Sequence, residues 1–177
     1  MHWDAIGAVG EILGALGVLV TLLYLATQIR DNTRSLQAAS LQSVLDGPRD
    51  RYFLPMATNR ANSEIFARGL NSLEDLDDSE KRRFFFLMFE QFFQMQQVMH
   101  LRERDLIPQV DYDAWLTYTV SLARTPGGAA MWPHCEAVIT PTVADIINEQ
   151  LDQHPDHPSF IQLVPLFRHS ESRDGAA

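Results

Sequence analysis

The sequence predicts an all-α fold, in which one N-terminal transmembrane helix continues into a small cytoplasmic helical domain. Three observations lead to this prediction. The run from Ile12 to Ile29 is apolar and contains no charged residue. The later chain carries apolar residues at helical spacing between helix-capping residues. No segment shows the sustained alternation of apolar and polar residues that is typical of a half-buried strand.

These patterns divide the 177-residue chain into four parts. Residues 1–29 are predicted to form the transmembrane helix, and residues 30–47 a juxtamembrane helix that continues it. The cytoplasmic helical domain is predicted to cover residues 48–153. Residues 154–177 contain several prolines and a polar end, so we expect an extended tail. The apolar side chains of this tail that are candidates for docking are Phe160, Leu163 and Phe167.

The apolar run is long enough to cross a bilayer. As a helix, the residues from Ile12 to Ile29 rise by roughly 27 Å, close to the ~30 Å hydrocarbon core. Arg30 and Arg34 follow directly, whereas no lysine or arginine precedes the run. The positive-inside rule therefore places the N-terminus outside and the domain in the cytoplasm. The alternatives are a cleaved signal peptide, for which a basic start and an A-x-A site are missing, and a buried helix of a soluble fold.

Small residues recur along one side of this helix. Gly7, Gly10, Gly14, Gly17 and Thr21 are separated by alternating steps of three and four, so they share one face. Such a stripe lets two helix backbones approach closely, which favours helix association in lipid. Close packing matters there because the hydrophobic effect does not drive association between helices that are already surrounded by lipid. We therefore predict contact with other transmembrane helices. The alternative is that glycine is simply common in membrane helices.

The strongest signal for a soluble helix begins at Asp77. Asp77 as the N-cap and Glu80 three positions later form a capping-box pattern, which satisfies free amides at a helix start. The helix is predicted to run to about Asp105. Between Phe84 and Phe93 it is apolar almost all round, which is typical of a helix that is covered on several sides.

Two interpretations of these aromatic residues remain open. They form the core of the domain, or part of them forms an exposed face for another subunit. Under the second interpretation, Phe85, Phe89 and Phe92 are the partner surface. Gln94, in the next turn, is expected to face outward or across an interface.

Shorter helices are predicted on either side of this one. The juxtamembrane helix is expected to end at Gly47-Pro48, because glycine and proline mark helix ends. A turn at residues 126–128 is expected to lead into a short helix through Met131 and Trp132. The other predicted helices cover residues 63–70, 111–124 and 141–151, the last with Thr140 as its N-cap.

The charge of the chain excludes nucleic acid as an expected partner. The formal net charge is −9, and Lys81 is the only lysine. Nucleic-acid binding normally needs a basic patch that displaces counterions from phosphates. Cys135 is the only cysteine, so we expect neither an intrachain disulfide nor a multi-cysteine metal site within one copy.

No motif predicts catalysis or a cofactor. The sequence has no glycine-rich phosphate loop, no G-x-S-x-G elbow, no H-E-x-x-H and no E-x-x-H pair. His154, Asp156 and His157 are possible metal ligands, but they lie in one proline-containing segment, whereas metal sites usually draw ligands from several elements. His134 next to Cys135 is a weak signal for a reactive thiol, because neighbouring side chains seldom face each other. We therefore expect no catalytic residue, cofactor or metal, and no enzyme activity.

Three segments of the sequence resemble a known group of proteins. They are W-D-A-I-G-A-V-G-E-I-L-G-A at residues 3–15, Y-L-A-T-Q-I-R-D-N-T-R at residues 24–34, and T-P-G-G-A-A-M-W at residues 125–132. Together they are similar to a widespread family of bacterial, single-pass, membrane-anchored proteins of unknown function. That resemblance implies a bacterial origin and the membrane anchor, and it brings no catalytic residue. Where such proteins often have W-W, this chain has Met131-Trp132.

The leading functional hypothesis is a non-enzymatic membrane protein that acts through helix packing. Its expected partners are membrane lipid and other transmembrane helices. These helices belong either to copies of the same protein or to a larger complex, of which the protein is an accessory subunit. The expected location is the inner membrane, with the helical domain in the cytoplasm. The alternative is a membrane-anchored sensory or ligand-binding module, in which Trp115 and Trp132 enclose a pocket for an apolar ligand or lipid.

Overall fold

The computed structural model describes the backbone of residues 3–168, and the side chains in this range except for those of residues 3–9 and 45. Helices make up 84% of the structure, and no residue between 3 and 168 lies in a strand. The predicted all-α fold is therefore confirmed. The elements are α1 (Trp3–Pro48), a π-helical segment (Arg49–Phe53), α2 (Leu54–Thr58), α3 (Arg60–Asn71), α4 (Asp78–Glu103), α5 (Gln109–Ala123), α6 (Pro126–Glu136), α7 (Pro141–Gln153), α8 (Phe160–Leu163) and a 3-10 turn (Pro165–Phe167).

The chain divides into two compact units, residues 1–39 and residues 40–177. The described part of the first unit is a single helix, whereas the second unit contains the end of α1 and all later elements. The predicted boundary after residue 29 lies within α1, and the predicted boundary after residue 47 lies at the end of α1.

The first helix was predicted to end at Gly47-Pro48, and α1 does end there, although helical structure of another type continues beyond it. α1 ends at Pro48, but the π-helical segment and α2 follow without an intervening turn. Pro48 itself keeps helical dihedral angles, with φ −65° and ψ −34°. Proline removes one i→i−4 hydrogen bond, and in the segment that follows the hydrogen bonds change to the i→i−5 pattern, as in the bond from the Leu54 N–H to the Arg49 carbonyl oxygen.

α4 begins with the predicted capping box, which is confirmed. The Asp77 carboxylate accepts hydrogen bonds from the backbone N–H groups of Ser79 and Glu80, at 2.7 and 2.8 Å. The Glu80 carboxylate in turn accepts from the Asp77 N–H at 3.1 Å, and it forms an ion pair with Arg68 of α3. α4 then packs against α3, α5, α6 and α7, so it is the central helix of the domain. Its most deeply buried apolar side chains are Phe84, Met88, Phe92, Met95 and Val98.

α3 and α6 cross with their backbones in contact. A Cβ atom on Gly127 would lie 1.5 Å from the carbonyl oxygen of Gly69, so no other residue fits at this position without moving a helix. A Cβ atom on Gly69 would lie 2.5 Å from the Phe84 ring of α4. The two glycines therefore allow three helices to meet closely at one point of the core.

α6 begins one residue after Thr125, earlier than predicted. The Thr125 hydroxyl accepts a hydrogen bond from the Gly128 N–H at 3.0 Å, and Pro126 occupies the first helical position. The predicted turn at residues 126–128 is thus the first turn of α6. Threonine followed by proline is an N-cap pattern, and the same pattern correctly placed the start of α7 after Thr140.

Part of the predicted tail folds onto the domain, so an extended tail is wrong for residues 154–168. Phe160 of α8 and Phe167 of the 3-10 turn pack against aromatic rings of the domain, with centroid distances of 5.8 and 6.0 Å. Leu163 does not dock and is 51% exposed. Burial of the two rings favours local structure despite the prolines. Residues 169–177 of the predicted tail lie outside the described residues.

Candidate functional site

The apolar part of α1 is not covered by the rest of the described chain. One helix among the described residues is long and apolar enough to cross a membrane, and none of its most apolar 18-residue window is buried. Val20 and Leu23 are 65% and 68% exposed. This exposure distinguishes α1 from an apolar helix that is buried in the core of a soluble fold. It leaves a continuous apolar surface of the kind that contacts lipid or another protein. α1 is therefore a candidate membrane span.

The predicted glycine stripe lies on this uncovered helix. Around Gly10, Gly14 and Gly17, no atom of the described chain comes within 4 Å of where a Cβ atom would be. The Thr21 hydroxyl donates a hydrogen bond to the Gly17 carbonyl oxygen at 2.8 Å, so its polar group is satisfied within the helix. Gly7 has a helical backbone, but its surroundings lie outside the described residues. The described stripe is thus an open surface without side chains that would keep another helix backbone at a distance.

A row of aromatic rings lies along α4. Phe85 and Phe89 stack with their centroids 5.8 Å apart, and Phe89 and Phe93 stack at the same distance. Phe86, beside Phe85, is 67% exposed. Phe85 and Phe89 are partly buried against the core, so only part of the area of each ring is exposed.

Phe92 does not belong to this surface, and its assignment as a partner residue is wrong. Its side chain is fully buried, and its ring packs against Trp132 at a centroid distance of 4.7 Å. Phe86 and Phe93 belong to the aromatic row, but neither was predicted to be part of an exposed surface. The spacing of Phe85, Phe89 and Phe93 at four-residue steps was the available signal, since such residues lie above one another on a helix.

The core also contains glutamines that the sequence did not place there. Gln94 is only 2% exposed, contrary to the expected outward orientation, and its amide donates to the Val44 carbonyl oxygen at 3.4 Å. Gln91 is 1% exposed and accepts a hydrogen bond from the Tyr118 hydroxyl at 3.2 Å. Burial raises the pKa of Tyr118, and also that of nearby Tyr52. Both phenols therefore stay neutral, and these contacts tie the end of α1 and α5 to α4.

A shallow apolar groove of about 350 Å³ lies beside this polar cluster. Phe53, Trp115 and Tyr118 form most of its lining. Trp132 does not reach the groove, because it is 94% buried in the core, where its indole N–H donates to the Asn148 side-chain oxygen at 2.8 Å. The two tryptophans therefore do not enclose a common pocket, and only Trp115 is available to a ligand.

The thiol and histidine candidates occupy separate places. Cys135 is fully buried, and burial raises the pKa of its thiol to about 12, so the thiol is protonated at neutral pH. His154 and His157 line a small cavity together with Asp113, and a ring nitrogen of His157 lies 3.3 Å from the Thr117 carbonyl oxygen. Among the described residues there is no group of three or more histidine, cysteine, aspartate or glutamate side chains arranged to hold a metal ion.

Comparison of the chain with models of protein families, with curated proteins and with solved structures gave no match. The resemblance to bacterial membrane-anchored proteins therefore stays a prediction.

Proposed function

We propose that the protein is a non-enzymatic, single-pass membrane protein that acts by packing α1 against other transmembrane helices. The observation that supports this proposal is the open stripe at Gly10, Gly14 and Gly17 on a helix with an uncovered apolar surface. Close contact of backbones across small residues is a main source of helix association in lipid. The partner helices belong either to other copies of the chain or to a larger complex in which the chain is an accessory subunit.

In the proposed arrangement, the helical domain lies in the cytoplasm of a bacterium and α1 crosses the inner membrane. Arg30 and Arg34 support this orientation, because arginines that follow a span are retained on the cytoplasmic side. On the cytoplasmic side, the exposed ring of Phe86 and the partly exposed rings of Phe85 and Phe89 offer a second contact surface for the same partner. Aromatic residues are enriched in such interfaces.

The test is a pair of substitutions on the stripe, Gly10→Leu with Gly14→Leu, in the full chain in native nanodiscs. We expect them to reduce assembly at least tenfold, because the added side chains separate the backbones by several ångströms. The matched control is Ala15→Leu with Ala26→Leu, which adds leucine to the same helix more than about 90° away from the stripe. Equal assembly of the stripe variant and the control, both with a folded domain, would contradict the proposal.

A second candidate function is a membrane-anchored sensory or ligand-binding module, which the groove at Phe53, Trp115 and Tyr118 favours. An apolar groove lined by aromatic rings suits an acyl chain or another apolar ligand. Replacement of Ala114, which also lines the groove, by tryptophan fills it without removing a ring. Binding of a fluorescent fatty acid that Ala114→Trp abolishes would support this function, and undetectable binding to the unchanged protein would exclude it.

A further inference from the structure

A second, polar groove lies within the helical domain, away from the surfaces used above. It has a volume of about 650 Å³ and is formed by the end of α3, the start of α6 and the segment of residues 155–168. Arg124, Arg168 and His157 are among its lining residues, and none of the described residues that line it is an aspartate or a glutamate. This composition is unusual for a chain with a formal net charge of −9.

Arg124 is held rigidly at the edge of this groove. Its guanidinium donates hydrogen bonds to the carbonyl oxygens of Leu151 at 2.6 Å and Pro155 at 3.3 Å, as well as to those of Gln150 and His154. These acceptors lie at and just beyond the C-terminal end of α7, so the arginine caps that helix. Carbonyl groups carry only partial negative charge, and thus a large part of the positive charge of Arg124 remains unbalanced.

Arg168 supplies a second cation with free donors. Its Nε–H donates to the Ile161 carbonyl oxygen at 3.1 Å, which orients the guanidinium and leaves its terminal nitrogens without a partner among the described residues. Gln162 stands nearby, and its side-chain oxygen accepts hydrogen bonds from the Ser159 N–H and hydroxyl, at 2.7 and 3.2 Å. The amide nitrogen of Gln162 is therefore a further donor at the groove.

Some arginines of the domain have an acidic partner, whereas others form no ion pair among the described residues, namely Arg49, Arg82, Arg83 and Arg104 as well as the two arginines of the groove. Arg51, Arg60, Arg68 and Arg102 each form an ion pair with a carboxylate. Among the described residues, no carboxylate pairs with either arginine of the groove. The groove is distinguished by two arginines that line one concave site, none of whose described lining residues is acidic, and such a site favours an anion from outside the chain.

We propose that this groove binds a phosphate ester. Guanidinium groups favour phosphate oxygens, because several N–H groups can be donated to one anion. Arg168 and Gln162 supply the donors, and Arg124 supplies a second, fixed charge. The volume of about 650 Å³ accommodates more than the phosphate group, and the apolar lining residues Pro126 and Ile161 offer contact for an organic remainder. The ester is either a soluble metabolite or a lipid headgroup, which share this chemistry.

The test measures binding of glycerol 2-phosphate to the full chain in a maltoside detergent without added phospholipid, by calorimetry at constant ionic strength. We expect binding by the unchanged protein and about tenfold weaker binding by Arg168→Gln, because a hydrogen bond to a charged group is lost. Arg60→Gln is the matched control, since Arg60 is an exposed arginine of α3 outside the groove, and it should bind as the unchanged protein does. Arg124→Lys keeps the charge and should lose less affinity than Arg168→Gln.

A second arm distinguishes the two sources of the ester. If short-chain phosphatidylglycerol competes with glycerol 2-phosphate, the groove accepts a lipid headgroup; if it does not, the ligand is a soluble phosphate ester. No binding by the unchanged protein would overturn the proposal, as would equal affinities of Arg168→Gln and Arg60→Gln. The proposal is independent of helix packing by α1, because all of its residues lie in the second unit of the chain.

Discussion

The two units of the chain use the same residue types under different constraints. In the first unit, glycines and large apolar side chains of α1 are open to the surroundings, and no atom of the described chain fills the space next to Gly10, Gly14 or Gly17. In the second unit, Gly69 and Gly127 lie against ring and backbone atoms, respectively. These atoms are so close that a Cβ atom on either glycine would collide with them. A glycine with open space around it is a candidate contact for another chain. A glycine that lies against backbone or ring atoms of its own chain is needed for the fold.

The largest expected effect on stability comes from the aromatic residues of α4. Some of these side chains are buried in the core, whereas others are exposed. Phe92→Ala should lower the free energy of unfolding of the domain by about 3–5 kcal/mol, because it leaves a cavity beside Trp132. Phe86→Ala should change it by less than about 0.5 kcal/mol, because that ring is 67% exposed. Urea unfolding in mild detergent, followed by tryptophan fluorescence, measures both. Similar losses for the two variants would contradict the separation into core and surface.

A smaller effect is expected from a single methyl group at the helix crossing. Gly127→Ala should destabilise the domain by about 3 kcal/mol, because the new Cβ atom collides with the Gly69 carbonyl oxygen and backbone atoms cannot move without separating α3 from α6. Gly14→Ala, the corresponding change on α1, meets no atom of the described chain and should leave the thermal midpoint of the domain unchanged. If Gly14→Ala lowered this midpoint as far as Gly127→Ala, α1 would not be an open surface.

The smallest expected effect concerns the thiol of Cys135. Burial raises its pKa to about 12 from 9.0, so at pH 8 roughly one thiol in 10,000 is ionised in the folded protein. We expect alkylation by iodoacetamide to be at least tenfold slower in the folded protein than in urea. The unfolded chain ionises first, so the contribution of this group to stability is fully present below about pH 9 and is lost as the pH rises toward 12. Equal alkylation rates in the folded and unfolded protein would show that the thiol is accessible.

Local patterns were sufficient where local interactions determine the structure. The capping box at Asp77 and Glu80 and the N-cap at Thr140 depend on neighbouring residues alone, and both helix starts were predicted correctly. The all-α fold followed from the same periodicity. The exposed apolar run of α1 was recognisable because eighteen uncharged positions in a helix leave few alternatives.

Contacts between distant segments could not be predicted from the sequence. Gln94 is polar, yet it is buried, and its amide donates a hydrogen bond to the Val44 carbonyl oxygen, 50 positions away in the sequence. Phe92 and Phe89 lie three positions apart on one helix, and Phe92 is the one that the Trp132 ring of α6 contacts, a residue 40 positions away in the sequence. The groove at Arg124 was missed for the same reason, because its parts come from segments far apart in the sequence.

The mass of the particle in native nanodiscs, with every co-purifying chain identified, tests the central claim most directly. We expect particles that contain more than one transmembrane chain, either several copies of this protein or this protein in fixed ratio with subunits of another membrane complex. Several copies would direct attention to the symmetry axis near the glycine stripe, and a fixed ratio would allow the function to be derived from that complex. Particles that contain a single copy and no other chain at all protein concentrations would contradict the claim that α1 acts through helix packing.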